Sequence, residues 1–327
     1  MPRLLTFLKY VMVPALVAAA IWLSGIREIY DAILRSSFVN ITEAFVLSLL
    51  SVGLTAVKWR LIIPAIKTLE LLKAALIGQF YSFFLFGQAS GEAAKIYLIS
   101  RETGSISSAT VSVFTDRLTS FIGMLVISVV GFALSSGQYP AQLQQVALIG
   151  LVLLIGILAA LRHDAFFIKT EHLAAWVESR SPAYSSVIAR ELRKAIQQWH
   201  IAISRLSRVL AGISIGALAH IVNVITFIVL ARSIAVHLDL FDWCWIAGLI
   251  SVAGLIPITI GQMAAGGALV ALLHLQGIPV TDALALSALT LLVNAMLAMT
   301  GGALEWRRLR AQTVRKTSVT DRTPNLS

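Results

Sequence analysis

Four ionisable residues stand in otherwise apolar sequence, at spacings that bring them within reach of one another. Glu92 and Lys95 are three apart, one helical turn, directly after the segment Gly87-Gln88-Ala89-Ser90-Gly91. Asp116 and Arg117 are adjacent inside the hydrophobic run 110–134. Charge in an apolar medium is costly, so a cluster of both signs calls for mutual pairing or a ligand. Read functionally, Lys95 and Arg117 face an anionic headgroup, while Glu92 and Asp116 keep those cations ionised and in position. Amides freed in the break, with Gln88, Ser90 and Gly91 beside them, and the positive end of a helix starting at Glu92 would favour the same anion. Two ion pairs that merely pin neighbouring helices would leave the same pattern. In the second half, Gln262 is the side chain of its glycine-rich break best able to donate and accept hydrogen bonds, and it joins the candidate substrate-binding set. His220, Asn223 and Asn294 read first as hydrogen bonds between helices.

Other chemistries find little footing. No P-loop, G-x-S-x-G, H-E-x-x-H or Rossmann glycine pattern is present. The one cysteine, Cys244, excludes an internal disulfide framework, and six histidines are scattered without metal-ligand spacing, so neither metal nor cofactor is inferred. Glu92 and Asp116 as an acid/base pair of a membrane transferase remain an alternative that their spacing does not demand.

The elements that must hold these residues are hydrophobic. Of 327 residues, 58% are apolar and 13% charged, with a mean hydropathy of +0.85. A soluble domain carries about 25% charged residues, so soluble enzymes and disordered chains are disfavoured. The net charge of +10 could suggest nucleic acid, but loop lysines and arginines that fix membrane orientation account for it, and no nucleic-acid partner is expected. Apolar stretches lie near 4–23, 41–57, 74–86, 110–134, 146–161, 209–231, 243–260, 261–275 and 281–304. The first mimics a cleavable signal peptide. A second basic-flanked stretch follows at once, however, so it reads as a retained helix.

Basic residues orient the chain. Placing both termini, 58–73, 87–117 and 162–208 in the cytoplasm puts 23 of the 26 lysines and arginines inside. That assignment forces 74–86 to enter and leave by the same face, because 58–73 and the start of 110–134 lie on one side. Its thirteen residues would reach about 20 Å, short of a bilayer core. Segment 74–100 is therefore expected to be a re-entrant hairpin open to the cytoplasm. The second half repeats the pattern upside down, with Pro257 and clustered glycines breaking 243–275. An opposed hairpin or ordinary crossings both satisfy the parity. With a hairpin, the chain is all-α: about six spanning helices plus two broken hairpins in two inverted halves, 1–134 and 146–305, an arrangement that points to a midplane substrate site.

The linker 162–208 carries an amphipathic helix, with Ile188, Leu192, Ile196, Trp199, Ile203, Leu206 and Leu210 at three- and four-residue steps. It would lie on the anionic leaflet or form an elbow packed on its own protein. The membrane domain is expected to end near 310, with a disordered tail over 311–327.

The segment 87–95, followed by Leu98, Gly104, Ala109 and Asp116-Arg117, resembles the membrane domain of lysylphosphatidylglycerol synthases, a domain that also occurs alone in flippase-like proteins. Pro257-Ile258-Thr259-Ile260-Gly261-Gln262 is similar to the pattern of its second half, although the Arg-Glu pair usual there is missing. The resemblance implies movement of a lipid or lipid-linked headgroup, anionic or glycosylated, between leaflets of a bacterial or archaeal inner membrane. It implies no lysine transfer, since no soluble transferase domain accompanies these residues. A membrane transferase, or an accessory subunit partnered with a lipid-synthesis enzyme, would be the alternatives.

Overall fold

The computed structural model describes residues 34, 36–85, 87–135, 183–254 and 263–320, with isolated helical positions between 145 and 172; at 183–190, 192, 263 and 313–320 it describes the backbone alone. The apolar stretch 4–23, most of 146–161, and the second break with Gln262 lie outside the described residues.

The described residues are helical, without strands. Helix α1 (Phe38–Ile62) starts where the Ser37 hydroxyl accepts the Val39 amide, and stops before Pro64. Helices α2 (Thr68–Phe84) and α3 (Gln88–Thr103) meet at Gly87, whose φ of 65° and ψ of −146° suit glycine alone. At the other end of α3, Gly104 is left-handed, and the Ser105 hydroxyl then caps α4 (Ile106–Leu134). Beyond lie α5 (Ala183–Ser204), α6 (Leu206–Arg232), α7 (Leu240–Ala253), α8 (Met263–Leu275) and α9 (Val280–Thr320). Helices α1, α4, α6 and the Val280–Gln312 part of α9 are long and apolar enough to cross a bilayer. Phe38, Val39, Val46, Leu50 and Val57 on α1 stand exposed, as lipid-facing side chains do.

Two apolar clusters at opposite ends of the bundle establish the topology. One gathers Ile41 and Ala44 from the start of α1, Phe132 from the end of α4, Trp243 from the start of α7 and Leu273 from the end of α8. The other gathers Trp59 and Ile63 from the end of α1, Leu71 from the start of α2, Ile99 from the end of α3 and Ala109 from the start of α4. Both outer ends of α2–α3 therefore sit at one end of the bundle, and both outer ends of α7–α8 at the other. These are two hairpins inserted from opposite directions, and the alternative of ordinary crossings through α7 and α8 is set aside.

The halves exchange hairpins. The closing helix of the first half, α4, packs along α7, while the closing helix of the second, α9, packs along α2. Glycines make both seams close. A Cβ on Gly131 would run into Cys244 and lie 2.8 Å from the Phe241 carbonyl, and one on Gly301 would run into the Leu76 carbonyl.

Four expectations need correction. Helix α1 continues to Ile62, so Lys58 and Arg60 are helical rather than part of a loop. Helix α3 begins at Gln88 instead of Glu92, because Gly87 alone turns the chain; the Gly91 amide donates to the Gly87 carbonyl and offers nothing to an anion. The amphipathic run divides at Arg205, whose extended backbone separates α5 from α6 and leaves Leu206 and Leu210 exposed on the spanning helix. The described part of the tail, 311–320, is helical and contains neither proline nor glycine, while 321–327 lie outside the described residues. Helix α5 packs on α4: the Ser107 hydroxyl contacts the Glu191 carbonyl and carboxylate, and Phe114 meets Trp199 at 5.4 Å between ring centroids.

Replacing Gly301 or Gly131 with alanine is expected to cost about 1–3 kcal/mol through overpacking against backbone. Gly53→Ala, where a Cβ meets nothing within 4 Å, should leave the thermal midpoint in detergent unchanged or raised. Equal midpoints for all three variants would refute the close seams.

Candidate functional site

The site begins with a polar stripe on α1. Ser48, Ser51, Thr55 and Lys58 recur at steps of three and four, which sets them on one helix face. At its inner end Lys58 is fully buried. Its ammonium lies 2.9 Å from Asp116 Oδ1 and donates to the Asp116 carbonyl at 2.7 Å and to the Ser120 hydroxyl. Beside it the Trp59 indole donates to Ser112 Oγ at 3.2 Å, so α1 is fastened to α4 by an ion pair and a neutral hydrogen bond. An ion pair backed by two hydrogen bonds makes such a charge tolerable away from water.

A second node forms one turn away around Glu92. Its Oε1 accepts from Lys95 Nζ at 3.2 Å and from Arg117 Nε at 2.6 Å and Nη2. Arg117 Nη2 also donates to Gln88 Oε1 at 2.9 Å, and Nη1 carries no hydrogen bond among the described residues. Glu92 Oε2 is buried without a partner. The ammonium of Lys95 points away from this opening, 5.9 Å from the Trp59 ring centroid. Its aliphatic stem fills the gap over Gly78, where a Cβ would come within 2.8 Å of Cε. Gly91 packs just as closely, 2.7 Å from the Gly78 carbonyl if it carried a Cβ, and the Ser90 hydroxyl lies 2.8 Å from the carbonyls of both Tyr81 and Gly87. Small residues here let α2 and α3 approach closely enough for Lys95 and Glu92 to be held between them and their neighbours.

Between the hairpins lies a cavity of about 1130 Å³. Gly87, Gln88, Glu92 and Arg117 form its wall on the side of the first hairpin; Gly254 and Ala265 represent the second. Arg117 is the cation at this wall, its side chain 39% exposed. Polar groups of the second half, including His220, Asn223 and Asn294, line the far wall. The two nodes hold three cations against two carboxylates, leaving one positive charge in excess at the cavity. Such a surface, carrying free guanidinium donors, suits an anion with oxygen acceptors. Among the described residues no three of His, Cys, Asp or Glu gather as metal ligands do.

Of the residues singled out from sequence, the structure brings Gln88, Glu92 and Arg117 to the cavity. Ser90, Gly91, Lys95 and Asp116 stand behind its wall, where they shape the hairpin or pair with charge. Gln262 lies outside the described residues. The partner expected for Asp116 among its neighbours in the motif is instead Lys58, 58 positions earlier. A cation at the end of an apolar run looks like an orientation signal; the polar stripe leading to it was the available clue. Equally unforeseen is a cluster joining the halves. Buried Glu305 on α9 accepts from the Tyr81 hydroxyl at 3.0 Å and from Arg308 twice at 2.7 Å, and Arg308 lies 5.9 Å from the Tyr97 ring centroid. It clasps α9 to both arms of the first hairpin.

A family model described as "Lysylphosphatidylglycerol synthase TM region" matches residues 10–302, nearly the whole chain. No curated protein and no solved structure gives a significant match.

Lys58→Met leaves the Asp116 carboxylate buried and unpaired, and is expected to cost about 3–5 kcal/mol. The double variant Lys58→Met/Asp116→Leu should recover most of that loss, because an apolar pair of similar volume needs no hydration. Thermal unfolding in detergent checks both, and a double variant no more stable than the single one would contradict the pairing.

Proposed function

The chain belongs to the lysylphosphatidylglycerol synthase transmembrane family, a multi-pass membrane protein related to lipid metabolism or transport, and from that premise we propose that it carries an anionic lipid headgroup between leaflets. The observation that bears most weight is the cavity between two oppositely inserted hairpins, with Arg117 at its wall and one positive charge in excess around it. Opposed broken hairpins meeting at a cavity suit alternating access, in which one half rocks against the other around a shared site.

The roles follow from position. Arg117 engages a phosphate oxygen through the guanidinium edge that Glu92 and Gln88 leave open. Glu92 fixes the plane of that guanidinium, and Gln88 offers its amide nitrogen at the hairpin tip. Lys95 and Asp116 act as positioning residues: Lys95 shares the charge of Glu92, and Asp116 neutralises Lys58 so that α1 and α4 stay together. The Tyr81–Glu305–Arg308 clasp holds the first hairpin closed on α9, and transport would require it to open. In this reading the protein moves its substrate without making bonds, sits in the cell membrane with both termini cytoplasmic, and works beside an enzyme of lipid synthesis. A transferase reading with Glu92 or Asp116 as base has less support, because Glu92 is shared between Lys95 and Arg117, and Asp116 lies behind the wall, engaged by Lys58.

Reconstitution into phosphatidylcholine vesicles containing fluorescent phosphatidylglycerol tests the proposal. The wild-type protein should accelerate exchange between leaflets, and Arg117→Ala should slow it about tenfold or more, the loss of one charge-assisted contact. Unchanged exchange in a folded Lys95→Ala/Arg117→Ala variant would remove both residues from the mechanism.

A further inference from the structure

The far wall of the cavity differs in chemistry from the wall of Arg117, and that difference carries a second site. Helices α4 and α6 run side by side in the same direction: Gly212 faces Thr119, Gly216 faces Ser120, and a Cβ on Gly123 would lie 2.5 Å from the Ala217 amide nitrogen. On this register His220 stands roughly eight residues, or about 12 Å, further along the bundle than Arg117. His220 is 7% exposed and lines the cavity. It hydrogen-bonds the Cys244 backbone, and its Nε2 is buried without a partner. One turn on, Asn223 also lines the cavity and makes no hydrogen bond among the described residues. Of the hydroxyls nearby, Ser251 donates to the Ala247 carbonyl and Thr290 to that of Leu286 within their own helices. Among the described residues no lysine, arginine or carboxylate lines this wall.

We propose that His220 and Asn223 form a neutral subsite for the hydroxyl groups of a sugar- or polyol-bearing phosphodiester headgroup whose phosphate is held at Arg117. The inference rests on the anionic reading above and deepens it. A phosphate offers only acceptors and is matched by Arg117. A hydroxyl both donates and accepts, and what it meets here is complementary: the ring nitrogen of His220 accepts, while the Asn223 amide supplies a donor and an acceptor. A buried acceptor without a partner disfavours any headgroup that cannot donate to it, so the same geometry sets selectivity. A small phosphate ester bound at Arg117 would leave this wall empty, whereas a headgroup extended by a ring of hydroxyls reaches it.

Two short-chain lipids of equal charge separate the possibilities: phosphatidylinositol, which carries a hydroxylated ring, and phosphatidylmethanol, which carries none. Binding to the full-length protein in detergent is read by tryptophan fluorescence, with short-chain phosphatidylcholine as reference. We expect phosphatidylinositol to bind about tenfold more tightly than phosphatidylmethanol, the contribution of one buried hydrogen bond. Asn223→Leu, on the open wall, and His220→Leu should each reduce that preference severalfold without changing phosphatidylmethanol affinity; His220→Gln, which keeps an acceptor, should preserve part of it. Arg117→Ala should weaken both anionic lipids alike. Equal wild-type affinity for the two anionic lipids, or a preference that survives Asn223→Leu and His220→Leu, overturns the subsite. Phosphatidylmethanol binding no better than phosphatidylcholine, with Arg117→Ala silent, overturns the anionic reading instead.

Discussion

A charge carried into surroundings that cannot hydrate it must bring its counter-charge along, and this protein is arranged around five that do. Lys58 pairs with the Asp116 carboxylate and bonds its carbonyl, binding α1 to α4 beneath the cavity. Glu92 is shared by Lys95 and Arg117, and the sharing is unequal: Lys95 is buried behind the hairpin, whereas Arg117 keeps one edge toward open space. Every carboxylate in this group is engaged, yet one guanidinium retains donors. That asymmetry separates a binding surface from a structural ion pair, and it exists only because the small residues of α2 and α3 bring the two arms close enough to bury Lys95.

The scaffold resolves a conflict of length. Neither α2 nor α3 reaches the eighteen residues of a candidate span, and α7 and α8 are shorter still. A short helix ending inside a bilayer leaves unsatisfied backbone groups at its tip, which are tolerable only where protein or a polar cavity receives them. Both hairpins therefore end at one shared cavity and take their support from the closing helix of the other half. The glycine seams make this exchange possible, and each carries a polar fastening: the Glu305 clasp on the first hairpin, and the Ser135 hydroxyl bonded to buried Asp242 on the second.

The two walls of the cavity contrast in chemistry. One presents a guanidinium; the other presents neutral hydrogen-bonding groups and apolar surface. Under the proposed function, an amphiphile with an anionic, hydroxylated headgroup would meet a suitable surface at each wall.

Much of this was legible in the residues. Composition excluded a water-soluble fold, since so few charged residues cannot cover a globule of this size. The charge bias, with the parity it imposed, required a hairpin at 74–100 because thirteen apolar residues cannot cross a bilayer. Glu92, Lys95 and Arg117 stood out because charge in an apolar run needs a reason. What the residues could not decide was who pairs with whom. Helical periodicity places Asp116 on a face but says nothing of the helix opposite, so its partnership with Lys58 emerged only from the packing of α1 on α4. The same holds for Tyr81 with Glu305, whose separation along the chain is 224 residues. The choice between hairpin and crossings at 243–275 also belonged to the tertiary structure: both satisfy orientation, and the gathering of Trp243 and Leu273 in one cluster distinguishes them. Local sequence sets the cost of burying each group; the assembled helices determine which partner offsets it.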